Sequence, residues 1–142
     1  WTASPGFTAD FRRRSTILGF RLKSQNLLFL DTQTTGMRPP RGALLEIAWT
    51  VTSGQDQPFL VESHTVQLPE GHSISKQVQD ITGFQEPHAG LSSTEVADQL
   101  LLALEKLGDQ PLIAIHYAQF EKPFLQDLLG ERLSSIPVIC TQ

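Results

Sequence analysis

Apolar residues in this chain come in short runs with two different periods. Leu27-Leu28-Phe29-Leu30 is continuous and stops at Asp31. Its length, and the turn-favouring residues after it, predict a buried central strand. Residues 37–42 carry two prolines and a glycine and read as a loop. Residues 44–51 and 59–68 are strand-like runs rich in bulky and β-branched side chains, with the turn Ser53-Gly54-Gln55-Asp56 between them. Such short connections predict an antiparallel meander. The period then changes. Ser92 and Glu95 form a capping-box pattern, Val96, Leu100, Ala103, Leu104 and Leu107 follow at helical spacing, and Gly108 stands where a C-cap glycine belongs. Residues 111–115 read as another buried strand. Residues 120–129, closed by Gly130, read as a helix with Phe124, Leu125, Leu128 and Leu129 on its apolar side. Residues 136–139 read as a last strand.

Three strands, a helix, a strand, a helix and a strand predict an α/β fold with a mixed sheet and helices packed on its faces. The 142 residues suit one domain, and a domain of this size buries roughly 68–70% of its unfolded surface. Apolar content of 39% against 18% charge argues for a folded globule. No apolar run approaches the ~20 residues of a membrane span. The single cysteine, Cys140, has no internal disulfide partner, which fits a reducing compartment and leads us to expect a cytoplasmic protein. The chain opens without Met or a signal-peptide pattern, so it is expected to derive from a longer, multidomain chain.

Charge divides the chain. Residues 1–26 lack clear periodicity and carry five basic residues against Asp10, a net +4. The remainder carries six basic and fourteen acidic residues, a net −8. We therefore separate a basic extension, 1–26, from a domain, 27–142. A basic arm beside an acidic body suits phosphate contact. A solvated extension is the better-supported reading, since three consecutive arginines are a weak signal.

Two segments carry chemistry. Asp31-Thr32-Gln33-Thr34-Thr35-Gly36 directly follows the first buried strand. A carboxylate at a strand end is rigidly held and suits a metal ligand; alone, the segment reads equally as a strand-ending turn. In His116-Tyr117-Ala118-Gln119-Phe120-Glu121-Lys122-Pro123-Phe124-Leu125 a strand leads into a helix with Glu121 in its first turn. Glu121 there complements the helix dipole, and the aromatic residues suit a core.

Taken together, the two segments resemble the DnaQ-like branch of the DEDD 3′→5′ exonucleases and are similar to the DNA polymerase III epsilon-subunit exonuclease family. The first resembles that family's opening Asp-Thr-Glu-Thr-Thr-Gly, the second its His-Asn-Ala-x-Phe-Asp-x-x-Phe-Leu. Leu45-Glu46-Ile47-Ala48 and Ile81-Thr82-Gly83-Phe84 are similar to two intervening segments. The resemblance covers residues 27–142 and implies a ribonuclease H-like fold. It also implies two divalent metals, Mg²⁺ or Mn²⁺, held by four acidic residues, and a nucleic acid partner with a free 3′ end, expected to be DNA. Two metals about 3.5–4 Å apart can stabilise both the attacking and the leaving oxygen of phosphodiester hydrolysis. By resemblance, Asp31 is the metal-bridging carboxylate and Glu121 the middle-motif acid. Thr34, Thr35 and Gly36 hold the terminal nucleotide, and Met37 packs against its base.

This chain departs from the pattern in several places. Neutral Gln33 stands where the family has an acid, Glu121 is one methylene longer than Asp, and Tyr117 replaces Asn. The third motif, with its catalytic histidine and final Asp, is expected beyond Gln142. His116 is assigned a structural role at a strand end, and His64, His72 and His88 are read as surface or loop residues. Glu46 interrupts an apolar strand, and either orients the site or faces outward. The leading expectation is a metal-dependent 3′→5′ exonuclease domain with catalytic residues Asp31, Gln33 and Glu121, of which Asp31 and Glu121 bind metal. A degenerate nucleic-acid-binding module, favoured by Gln33, and a protein-interaction domain on the same scaffold are the alternatives.

Overall fold

The structure, a computed structural model, describes residues 26–52 and 60–142. The basic segment up to residue 25 and the turn expected at 53–56 lie outside the described residues. Five strands, β1 (Leu27–Thr34), β2 (Leu44–Thr52), β3 (Val61–Thr65), β4 (Leu112–Ile115) and β5 (Val138–Cys140), form one sheet in the order β3-β2-β1-β4-β5. The helices are α1 (Lys76–Thr82), α2 (Ser93–Glu105) and α3 (Ala118–Leu129), followed by a 3₁₀ turn, Gly130–Ser135. β1–β2–β3 is the expected antiparallel meander, whereas β4 runs parallel to β1, and β5 parallel to β4.

The apolar run at residues 27–30 becomes the centre of the sheet because it can be hydrogen-bonded on both sides. Register places Leu30 opposite Trp49 and beside Ile115. Those residues, with Leu28, Ile47 and Ile113, form one buried face. Val96, Leu100 and Leu104 of α2 and Phe124, Leu125 and Leu129 of α3 pack into the same core. Side chains alternate along a strand, so Phe29, Asp31 and Gln33 project from the opposite face of β1.

The expected cap of α2 forms in full. The Ser92 hydroxyl accepts from the Glu95 amide, and the Glu95 carboxylate accepts from the Ser92 amide at 2.9 Å. Gly108 adopts a positive φ, but α2 ends three residues earlier, with Lys106 as its C-cap. α3 starts at Ala118 rather than at residue 120, and Gly130, at φ 59°, closes it as expected. β3 is shorter than the run at 59–68: it ends at Thr65, and Val66, whose amide still donates to Leu45 O, also bridges Leu91. The apolar pattern does not predict α1. None of its residues is buried, so it offers no apolar stripe; it is held by the Ser75 cap and by Gly83 at φ 79°.

Phe124 is 1% exposed at the junction of α3 with the sheet. Phe124→Ala should cost about 3–5 kcal/mol, against about 1 kcal/mol for Ser92→Ala, which removes only a cap. Urea denaturation should therefore show the first variant with the much larger fall in midpoint.

Candidate functional site

β1 and β4 are parallel neighbours, so their carboxyl ends lie at the same edge of the sheet. Beyond that edge β1 continues through Asp31 to Thr34, and β4 passes through His116 and Tyr117 into α3. The crevice outside strand ends, where the connections on either side diverge, is where open α/β sheets place their sites.

Glu121 lies in the first turn of α3 and is 4% exposed, and its Oε2 has no hydrogen-bond partner. Burial, and then the negative charge of Asp31, push its pKa up to about 7. The amino end of a helix favours a carboxylate by only about 0.3–1 kcal/mol, so desolvation and like charge prevail here. Asp31 itself is exposed. Gln33 follows on the same face of β1, directly opposite Glu46 of β2. Glu46 is half-buried and accepts a hydrogen bond from the Ser63 hydroxyl. The structure therefore brings Asp31 and Glu121 together, while Gln33 and Glu46 lie next along the same face of β1 and β2 as Asp31.

A buried, unpartnered carboxylate oxygen next to a second carboxylate is an arrangement that a cation relieves. Hard divalent cations take oxygen donors of this kind. Asp31 and Glu121 fit such an ion, and Gln33, two residues along the same face of β1 from Asp31, adds no charge to it. Among the described residues, no three His, Cys, Asp or Glu side chains gather closely enough to form a fuller site.

The loop after β1 is tightly fixed. A register shift between Gln33 and Thr34 bulges the pairing with β2. The Thr35 amide donates to Ala43 O, and the Ala43 amide donates to Thr35 Oγ1, both at 2.9 Å. Thr34 Oγ1 donates to Gly36 O at 2.9 Å. A Cβ at Gly42 would lie 2.9 Å from the Gly36 carbonyl, so the two glycines allow the arms of the loop to cross. Thr34, Thr35, Gly36 and Met37 line a cleft of about 310 Å³ together with Gln33. α1 supplies Val78, Ile81 and Thr82 to its far wall, and α3 supplies Phe120. Met37 and Ile81 are 73% and 75% exposed, which leaves apolar surface free at the mouth. A larger hollow, about 440 Å³, lies across the loop between Pro40, Leu44, Leu68, His72 and Leu128. Asp127 is the one carboxylate lining it, whereas the smaller cleft adjoins the acid pair in the chain, its wall residues Thr32 and Phe120 being the neighbours of Asp31 and Glu121.

Some features are not visible in sequence. Phe120, read from sequence as core, serves as cleft wall as well. Cys140 ends β5 beside the α3 turn. Backbone amides of Ala118 and Gln142 hold its thiol below the usual range, and its Sγ lies 3.5 Å from His116 O. His116 Nδ1 is 3.2 Å from Thr141 Oγ1, in keeping with a structural role. His64 is not a surface residue. It lies half-buried on β3 with its ring 4.9 Å from that of Trp49, because register carries it onto the helix-covered face.

Glu121 makes stability depend on pH. Its folded pKa of about 7 exceeds the ordinary 4.5, so the folded state holds the proton more tightly. The cost of burying the charge is absent below the ordinary value, grows between the two values, and is complete above about 7. Glu121→Gln should raise stability by on the order of 1–3 kcal/mol at alkaline pH and by almost nothing at pH below about 4. Chemical denaturation at the two pH values checks this. An equal gain at both would remove ionisation as the cause.

No family model matches the chain, and no curated protein matches it. Solved structures do. An E. coli exonuclease I in complex with a dA16 oligonucleotide has a TM-score of 0.66 at 13% identity, with 82% of this chain and 27% of that chain covered. A zinc-ion-bound form of an E. coli exonuclease I–ssDNA complex gives 0.66 at 14%, with 82% and 28% covered. A moderately thermophilic exonuclease I from Methylocaldum szegediense gives 0.65 at 15%, with 82% and 27% covered. This chain thus spans less than a third of the length of these proteins, and at such identities the likeness is one of fold. The mixed five-stranded sheet with flanking helices is the ribonuclease H-like α/β fold that exonuclease I also has.

Proposed function

We propose that this domain binds the 3′ end of a nucleic acid strand and forms part of a metal-dependent 3′→5′ exonuclease of the DnaQ-like kind. The observation that carries the reading is the meeting of Asp31 with the buried, half-unpartnered Glu121, beside a cleft built from Thr34, Thr35, Gly36 and Met37. The exonuclease I structures, one with a dA16 oligonucleotide and one with ssDNA, support it through the shared fold. Likeness to the epsilon-subunit exonucleases rests on the sequence motifs.

In this reading Asp31 and Glu121 hold Mg²⁺ or Mn²⁺. When bound, the ion supplies charge stabilisation to the phosphodiester and lowers the pKa of its water. The chain's own part is to position. The crossed loop holds Thr34, Thr35 and Gly36 against the terminal nucleotide, while Met37, Ile81 and Phe120 offer apolar surface to its base. Glu121 accepts or releases a proton near neutral pH until a cation claims it. Gln33 favours a second reading, a binding module that has lost turnover, because a neutral ligand lowers the charge available to a hard cation.

Residues 1–142 alone should bind a single strand with a free 3′ hydroxyl yet degrade it negligibly with Mg²⁺ or Mn²⁺, since among the described residues two carboxylates, with no third acid or histidine gathered to them, are at hand. A longer chain supplying the expected third motif should degrade the strand from its 3′ end. Asp31→Asn in that chain should cost more than about a hundredfold, as loss of outer-shell partners alone commonly costs 10–100-fold. Gln33→Glu should raise metal affinity and rate. Chelator-sensitive degradation by residues 1–142, measured on a 5′-labelled oligonucleotide, would show that other groups perform the chemistry. A longer chain that binds without cleaving would establish the binding-module reading instead.

A further inference from the structure

The body of this chain is acidic, yet two of its six basic residues beyond position 26, Arg38 and Arg41, occupy the single loop between β1 and β2. Both are exposed, and neither forms an ion pair with a described residue. Their loop is held at its base by the Gly36–Gly42 crossing and within by the Gly42 amide donating to Arg38 O at 2.8 Å. It forms the ridge between the two hollows: Gly36 and Met37 line the cleft, while Pro40 and Gly42 line the larger hollow. The described residues lining the cleft include no lysine or arginine. The nucleotide in the cleft therefore meets hydroxyls and apolar surface, and cationic contact begins at the ridge beside it.

We propose that Arg38 and Arg41 form a phosphate clamp for the single strand entering the cleft, engaging phosphodiesters upstream of the terminal nucleotide. The proposal rests on the nucleic-acid reading of the cleft and adds to it a specific contact surface. Exposed arginines in an acidic body would otherwise be drawn toward neighbouring carboxylates, and a polyanion must cross the repulsion of that body to reach the cleft. Two cations on a rigid ridge at the mouth overcome this locally. Guanidinium groups also fit phosphate oxygens in bidentate fashion. A fixed loop lowers the ordering cost of such an engagement.

The test uses the whole 142-residue chain, with and without Arg38→Ala and Arg41→Ala together. Binding of a 5′-fluorescein oligothymidylate of about eight nucleotides is followed against salt concentration, and binding of thymidine 5′-monophosphate is followed in parallel. The double variant should bind the oligonucleotide several-fold more weakly at low salt. Its salt slope should fall by about 0.7 for each phosphate that is no longer neutralised. Its affinity for the mononucleotide should be unchanged, and its thermal midpoint should match that of the unaltered chain. Unchanged oligonucleotide affinity and slope in the double variant would overturn the clamp while leaving the cleft reading intact. Equal weakening toward mononucleotide and oligonucleotide would also overturn it, by placing the arginines in the terminal-nucleotide site. Failure of the unaltered chain to bind either ligand would overturn the cleft reading and the clamp with it.

Discussion

The structure depends on the pairing of β1 on both of its edges. β2 runs antiparallel along one side and β4 parallel along the other. This is possible only for a strand apolar enough to lose water on both sides of its ladder, and residues 27–30 meet that need. Once β1 is central, its alternation decides the rest. Leu28 and Leu30 enter the core with α2 and α3, and Asp31 and Gln33 are carried to the opposite face. A slip of one residue would bury Asp31 and expose Leu30, which the apolar core forbids.

The same pairing explains why the acids meet. β4 alongside β1 brings the start of α3 to the end of β1, and with it Glu121 to Asp31. Neither carboxylate is neutralised by a described lysine or arginine. Glu121 is thus held at a cost that nothing in its immediate packing offsets. A buried acid with a free oxygen and a raised pKa is a common mark of a functional position. Here it adjoins, next to Phe120 in the chain, a cleft whose walls come from β1, the loop after it, α1 and α3.

Local rigidity complements this arrangement. The loop after β1 has few apolar anchors, so backbone and hydroxyl hydrogen bonds and a glycine–glycine crossing shape it instead. Loops on rigid scaffolds commonly carry function. This one separates two hollows and exposes Met37, Arg38 and Arg41. Cys140 shows how the fold reuses free groups. α3 begins at Ala118 with no side-chain cap from Tyr117, and the backbone of Ala118 lowers the pKa of the Cys140 thiol.

Strand and helix identity were legible in sequence wherever an apolar pattern had a period. The central strand, the meander, the capped α2 and the Gly130 stop all follow from such local signals. α1 escaped because it buries no residue, and the bridge from Val66 to Leu91, distant in the chain, has no local signal. Asp31 and Glu121 could be singled out from their motifs, and Gln33 stood out as a departure. Sequence alone could not say that Glu121 would be buried, that Glu46 would face Gln33, or that His64 would lie against Trp49. Those outcomes depend on strand register, and on a parallel pairing between β1 and β4 that lie far apart in the chain. Periodicity records what each segment buries. Only the assembled sheet decides which buried and exposed groups become neighbours, because that choice belongs to the packing of segments distant in the chain.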